Sequence, residues 1–157
     1  MFRQVVVPLD GSPLAEAILP HVCRLAAGTP LKVLLLSVVP MPPNVEQYGS
    51  FLVSDAIDQQ KHSREAYLER HSQELAANGV AAGHEVRVGD PATEIVRYAE
   101  EVLADAIAMS THGRTRVDRL LHGSVAGAVL RTALLPLLLV RPGERAFDQP
   151  AQPIEPG

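Results

Sequence analysis

Between Ser110 and Ser124 the chain reads S-T-H-G-R-T-R-V-D-R-L-L-H-G-S, a succession of residue types suited to holding an anion. A short apolar run, Ala106 to Met109, precedes it. A helical pattern with Val125, Ala126, Val129, Leu130 and Ala133 on one face follows it. The order is therefore strand, glycine-containing loop, helix N-terminus. Gly113 and Gly123 let backbone approach a ligand closely, and the first amides of a helix have no partners within it. Two readings stand for the loop: a phosphate cradle, or a turn whose glycines only relieve backbone strain. Ser124 is either the N-cap of the helix or a hydroxyl turned to a phosphate oxygen. Arg114, Arg116 and Arg119 either neutralise phosphate charge as bidentate donors or form a solvated loop face. His112 and His122 flank the glycines, and neither has a sequence neighbour that would orient it as a general base.

The elements that must position this loop are legible from periodicity. Val5 to Leu9 is a continuous apolar run, the pattern of a strand buried on both faces of a parallel sheet. Ser12 and Pro13 then open a helix as N-cap and first helical residue. Its expected buried stripe is Ala15, Ile18, Leu19, Val22, Leu25 and Ala26, with Pro20 kinking it or removing a hydrogen bond. Leu31 to Val39 predicts the second strand, and residues 41 to about 54 read as a long loop. From Asp55 to Asn78 a polar helix is expected, with Ile57, Leu68 and Leu75 as a thin apolar stripe. Val80 to Val88 predicts a third strand whose polar and apolar alternation leaves one face or edge wet. Asp90 and Pro91 repeat the cap-then-proline start, before a stripe of Ile95, Val96, Ala99, Val102 and Leu103. Ala106 to Met109 and Leu137 to Val140 complete five strands. Strands alternating with helices give an α/β fold with a parallel sheet and right-handed crossovers. One domain over residues 1–142 is expected, followed by a Pro-rich, disordered tail over 143–157.

Composition narrows the class. A chain of 157 residues, 46% hydrophobic and 20% charged, reads as one soluble globular domain able to bury a core. Only 4% of residues are aromatic, so that core must be aliphatic. A net charge of −4 argues against a nucleic-acid-binding surface. Cys23 is the single cysteine, sits inside the first helix and reads as a small structural residue in a reducing compartment. No signal-peptide pattern and no apolar run long enough to span a bilayer are present, and a cytoplasmic location is expected. No His, Cys or carboxylate cluster has metal-ligand spacing, so a magnesium ion would come with a nucleotide. The P-loop and Rossmann glycine patterns are absent. A phospho-acceptor receiver is set aside, because the only lysines are Lys32 and Lys61 and neither follows the fifth strand.

The chain resembles the universal stress proteins of the nucleotide-binding type. Their loop carries Gly, two residues, Gly, nine residues, then Gly followed by Ser or Thr. Gly113, Gly123 and Ser124 match, while Ser110 stands where the first glycine would fall. The likeness runs from Val5-Val6-Val7-Pro8-Leu9-Asp10-Gly11-Ser12 through Val88-Gly89-Asp90-Pro91 to Pro136-Leu137-Leu138-Leu139-Val140.

The resemblance implies an open five-stranded sheet of order 3-2-1-4-5 with helices on both faces, like the adenine nucleotide alpha hydrolases. Strands 1 and 4 would then flank the ligand crevice, where strand order reverses. Asp10 would accept from ribose hydroxyls or the adenine amine; its other reading is a turn or cap residue. By the same likeness Val38 backbone would meet the adenine edge, Pro8 and Leu9 would wall the base, and Met109 would pack on it. Ser110, Gly113, Arg114, Gly123, Ser124 and the amides of Val125 and Ala126 would surround the phosphates. The implied ligand is ATP, ADP or AMP, with any magnesium arriving on the nucleotide, and the implied role is a stress-response binding or signalling module with at most slow hydrolysis. A homodimer through Leu137, Leu138, Leu139 and Val140 is expected, since an apolar edge strand invites pairing. The alternative is a dimeric interaction module of the same family that binds no nucleotide, supported by Ser110.

Overall fold

Five parallel strands carry the chain, and helices cover both faces of the sheet they form. The computed structural model describes residues 1–41, 50–111 and 125–142. Strands β1 (Gln4–Pro8), β2 (Lys32–Pro40), β3 (Ala81–Gly89), β4 (Ala106–Ser110) and β5 (Leu137–Val140) lie in the order β3-β2-β1-β4-β5. Each neighbouring pair is parallel. This is the expected order, with its reversal between β1 and β4. The helices are α1 (Pro13–Glu16), α2 (Leu19–Ala26), α3 (Ser50–Ala77), α4 (Pro91–Glu101) and α5 (Val125–Thr132).

Successive strand residues point to opposite faces, and this alternation builds two aliphatic layers. Val5, Val7, Val33 and Leu35 pack with Ile18, Val22, Leu68 and Leu75 from α2, its lead-in turn and α3. Val6, Leu34, Leu36 and Ile107 pack with Ile95, Tyr98 and Ala99 of α4 and Val129 of α5. β3 is an edge strand and none of its residues is fully buried, as its alternation predicted. Helix α3 buries only a thin stripe. Its docking is reinforced by Tyr67, whose hydroxyl donates to Glu16 Oε1 of α1 at 2.8 Å. His71 lies beneath, with Nδ1 3.0 Å from Glu74 Oε2 and Nε2 3.4 Å from Glu16 Oε1.

Several expectations are corrected. The first helix is two helices rather than one: Pro20 cannot donate to the carbonyl of Glu16, and the chain turns at Ala17 and Ile18 before α2 begins. Leu25 is exposed along an apolar groove instead of lying in the core. Leu103 follows α4 in a left-handed turn with φ of 54°, which aims its side chain at solvent, 81% exposed. Val125 and Leu130 are exposed because Ala126 and Val129 supply the buried face of α5. Residues 50–54, expected as loop, form the first turns of α3, with Val53 buried. The rest of the expected loop that lies at 42–49, and the tail at 143–157, fall outside the described residues.

The cap reading of Asp90 holds. Its Oδ2 accepts from the Thr93 amide at 2.9 Å and the Thr93 hydroxyl at 2.7 Å. Asp90→Ala is expected to cost about 1 kcal/mol, lowering Tm by roughly 2–4 °C in a thermal melt. Asp105 ties the start of β1 to β4: its Oδ2 accepts from the amides of Arg3 and Gln4 at 2.6 and 2.9 Å. The Thr93 hydroxyl and amide hold the Asp90 carboxyl below its ordinary value, and the Gln4 and Arg3 amides do the same for Asp105. A depressed carboxylate stabilises the fold fully above its unfolded pKa of about 3.9 and loses that contribution as pH falls through the lower folded value. Tm is therefore expected to stay level from about pH 7 to 5 and to fall below about pH 4. A melt series across that range checks it.

Candidate functional site

The carboxyl end of β1 meets a break in the backbone pattern at Asp10 and Gly11. Gly11 has φ of +87°, a conformation that favours glycine, and the chain turns there away from the sheet. Asp10 Oδ1 accepts from the Ser12 amide at 2.9 Å and the Ser12 hydroxyl at 2.6 Å. Ser12 in turn caps α1, its Oγ accepting from the Ala15 amide at 3.1 Å. Asp10 is thus a turn residue, and its exposed carboxylate also borders a cavity. Burial pulls its carboxyl upward, but the Ser12 hydroxyl and amide and the charge of Arg64 outweigh that and hold it below the ordinary carboxylate value. It is ionised at neutral pH.

The cavity measures about 520 Å³ and opens at the carboxyl ends of β1, β2 and β4. That size lies within the range of small-molecule sites. Pro8, Leu9 and Asp10 enter it from β1, Val38 from β2, Met109 and Ser110 from β4, and Val125 and Ala126 from the start of α5. These are the sequence-predicted residues that the structure brings together. The others, Gly113, Arg114, Gly123 and Ser124, lie outside the described residues, as do Arg116, Arg119, His112 and His122.

Backbone polarity at Val38 follows from the register. Lys32 N–H donates to the Arg3 carbonyl and Leu9 N–H to the Leu36 carbonyl, each at 2.8 Å. Even-numbered residues of β2 therefore turn their backbone groups toward β1. The β1–β2 register ends at Pro8 and Leu36, two residues short of Val38. Val38 then faces the cavity with an amide donor and a carbonyl acceptor and no paired β1 residue. Ser110 hangs its Oγ toward the Ala15 carbonyl at 3.4 Å, a weak contact, so its hydroxyl leans to the α1 side of the cavity.

Sequence reasoning missed part of the lining. Leu36, Pro40, Leu14 and Ala15 are apolar walls without a motif, and Pro91 and Ile95 come from the start of α4. Ser12 was read only as a cap, yet it too lines the cavity. Arg64 carried no local signal at all. It comes from the middle of α3, reaches over the ends of β1 and β2, and donates from Nη1 to Ser37 Oγ at 3.2 Å. Among the described residues no three His, Cys, Asp or Glu side chains converge as a metal site, and no helix is long and apolar enough to cross a membrane.

A doubly wound α/β domain with its cavity at the topological switch point is the class these features define. The chain belongs to the universal stress protein family, whose sequence model matches residues 1–141. It is 32% identical over 144 residues to the universal stress protein MJ0531 of Methanocaldococcus jannaschii, covering 90% of this chain and 83% of that one. The solved structure of MJ0577 from the same organism superposes with a TM-score of 0.77 at 28% identity, covering 92% of this chain and 99% of that one. A universal stress protein of Archaeoglobus fulgidus, solved in complex with dAMP, superposes with a TM-score of 0.61. It covers 88% of this chain and 97% of that one, at 22% identity, a likeness of fold.

Proposed function

We propose that this chain binds ATP or another adenine nucleotide at the carboxyl ends of β1 and β4 and acts as a cytoplasmic stress-response binding or signalling module. The observation that carries the reading is the convergence on one cavity of an ionised Asp10, the open backbone of Val38 and the first residues of α5. Each group answers one part of an adenine nucleotide. The Val38 amide and carbonyl match the acceptor and donor on the adenine edge, with Pro8, Leu9 and Met109 as apolar walls. Asp10 accepts from ribose hydroxyls. The first amides of α5, which have no acceptor within the helix itself, and the small residues Ser110 and Ala126 favour phosphate. Gly113, Arg114, Gly123 and Ser124 complete the phosphate side in this proposal, and magnesium arrives with the nucleotide. The A. fulgidus relative solved with dAMP supports an adenine nucleotide as the ligand class. Asp10 is the only carboxylate, and no His or Cys joins it, among the described residues around the cavity. Turnover should therefore lie far below the typical enzyme rate of about 10 per second.

The test is mass spectrometry of small molecules released by denaturing freshly purified protein, backed by calorimetric titration with ATP and magnesium. Stoichiometric nucleotide, or micromolar binding, supports the reading. Absence of both would reject it and leave the interaction module. Ser110→Gly then identifies the cause: recovered affinity would mark the serine as the obstacle.

We also propose that the protein is a homodimer paired through β5. That strand is a sheet edge, with Leu139 37% exposed. Beside it runs a groove of about 590 Å³ lined almost wholly by apolar side chains, among them Phe2, Leu25, Leu137 and Leu138. An open edge next to an apolar groove fits a second copy of the chain.

A further inference from the structure

Arg64 belongs to no motif, yet it stands in the wall of the cavity with Asp10. Helix α3 lies on the face of the sheet that carries Val33, Leu35 and Ser37, whereas α5 lies on the face of Leu34 and Leu36. Arg64 and the start of α5 therefore flank the cavity from opposite faces, with Asp10 between them at the end of β1. Arg64 is held over the Asp10–Gly11 turn. A Cβ built on Gly11 would sit 3.5 Å from its Nη1, and its hydrogen bond goes to Ser37 Oγ, which is buried. Among the described residues that is the guanidinium's only hydrogen bond, and it forms no ion pair with Asp10. A guanidinium has five N–H donors, so most remain for a ligand.

The charges decide what kind of group fits there. A second phosphate would meet Arg64 favourably but would be driven off by the Asp10 carboxylate. Together the two side chains are neutral, one offering only donors and the other only acceptors. A hydroxyl is the matching group, since it donates one hydrogen and accepts on its oxygen.

We propose that Arg64 is a specificity-determining residue that, with Asp10, clamps a ribose hydroxyl and selects ribonucleotides over deoxyribonucleotides. The hydroxyl donates to Asp10 and its oxygen accepts from an Arg64 N–H. This rests on the nucleotide reading above and deepens it. The bond Arg64 makes is charge-assisted, and losing it is worth roughly tenfold in affinity.

The experiment is calorimetric titration with AMP, 2′-deoxy-AMP and 3′-deoxy-AMP on the full chain and on Arg64→Leu. In the unaltered protein at least one deoxy analogue is expected to bind about a hundredfold more weakly than AMP, having lost the bonds to both Asp10 and Arg64. In Arg64→Leu, AMP should weaken toward the deoxy analogue, while the affinity for that analogue stays nearly unchanged. A merely structural arginine would weaken all three ligands alike, because the ligand–residue cycle isolates the shared contact. Should Arg64→Leu melt far below the parent protein, Arg64→Gln, which keeps one donor, takes its place and is expected to lose part of the discrimination. Equal binding of all three ligands overturns the clamp while leaving the nucleotide site standing, as does discrimination undiminished in Arg64→Leu. Failure of both AMP and ATP to bind overturns both.

Discussion

Asp10→Ala is expected to weaken adenine-nucleotide binding by about a hundredfold or more, to the limit of calorimetric detection. The carboxylate is ionised, borders the cavity and has acceptor capacity left after its two bonds from Ser12. Hydrogen bonds from ligand hydroxyls to a charged acceptor are each worth about 1.5–3 kcal/mol, and two of them give that loss. Removing the carboxylate also leaves the Arg64 guanidinium without its neutralising neighbour. The fold should survive, because Asp10 is exposed and Ser12 still caps α1. Asp10→Asn separates the two roles of the residue. Its amide oxygen can still accept from Ser12 and keep the turn, but the charge is gone. We expect an intermediate loss of affinity with an unchanged melting temperature. If Asp10→Ala bound ATP as tightly as the parent chain, Asp10 would be a turn residue alone and the nucleotide reading would lose its centre.

The two readings of Asp10 offered by the sequence were not rivals. The same carboxylate organises the turn through Ser12 and borders the cavity, because an Asx-type bond uses only part of its acceptor capacity. Other elements were legible for similarly local reasons. Val5 to Leu9 and Leu31 to Val39 read as strands because a sheet covered on both faces needs unbroken apolar runs. Ser12-Pro13 and Asp90-Pro91 marked helix starts because a cap oxygen followed by a residue lacking N–H suits the orphan end of a helix. What local pattern could not reach was set by distance. The first turns of α3 share no clear apolar period with the rest of that helix, so Val53 looked like loop. Leu103 continued a helical stripe on paper, and only the left-handed turn after α4 takes it out of the core. Arg64 sits 54 positions beyond Asp10 in the chain and reaches it only because α3 crosses the ends of β1 and β2. Val38 is an apolar residue among apolar residues; what the proposed site asks of it is its backbone, two residues past the last β1–β2 pair.

Leu139→Lys is expected to convert a dimer into a monomer at micromolar concentration, read by light scattering with size-exclusion chromatography. Ile107 N–H donates to the Pro136 carbonyl and Thr111 N–H to the Val140 carbonyl. Alternation then assigns the backbone of Leu138 to β4 as well, leaving Leu137 and Leu139 to present their amides and carbonyls to the open side. A second β5 would add there by backbone bonds, and twofold symmetry would bring the same short strand against itself. Exposed leucines cluster around this edge, with Leu134 94% exposed just before the strand and Leu139 within it. Lysine at Leu139 keeps the fold, since that side chain is already exposed, but places two like charges near the symmetry axis where apolar contact was expected. Charged residues on edge strands oppose such pairing. The cavity proposed for the nucleotide, at the carboxyl ends of β1 and β4, does not include Leu139, so the monomer should retain the parent chain's affinity. A monomeric parent chain would overturn the dimer; a dimeric Leu139→Lys would move the interface away from β5.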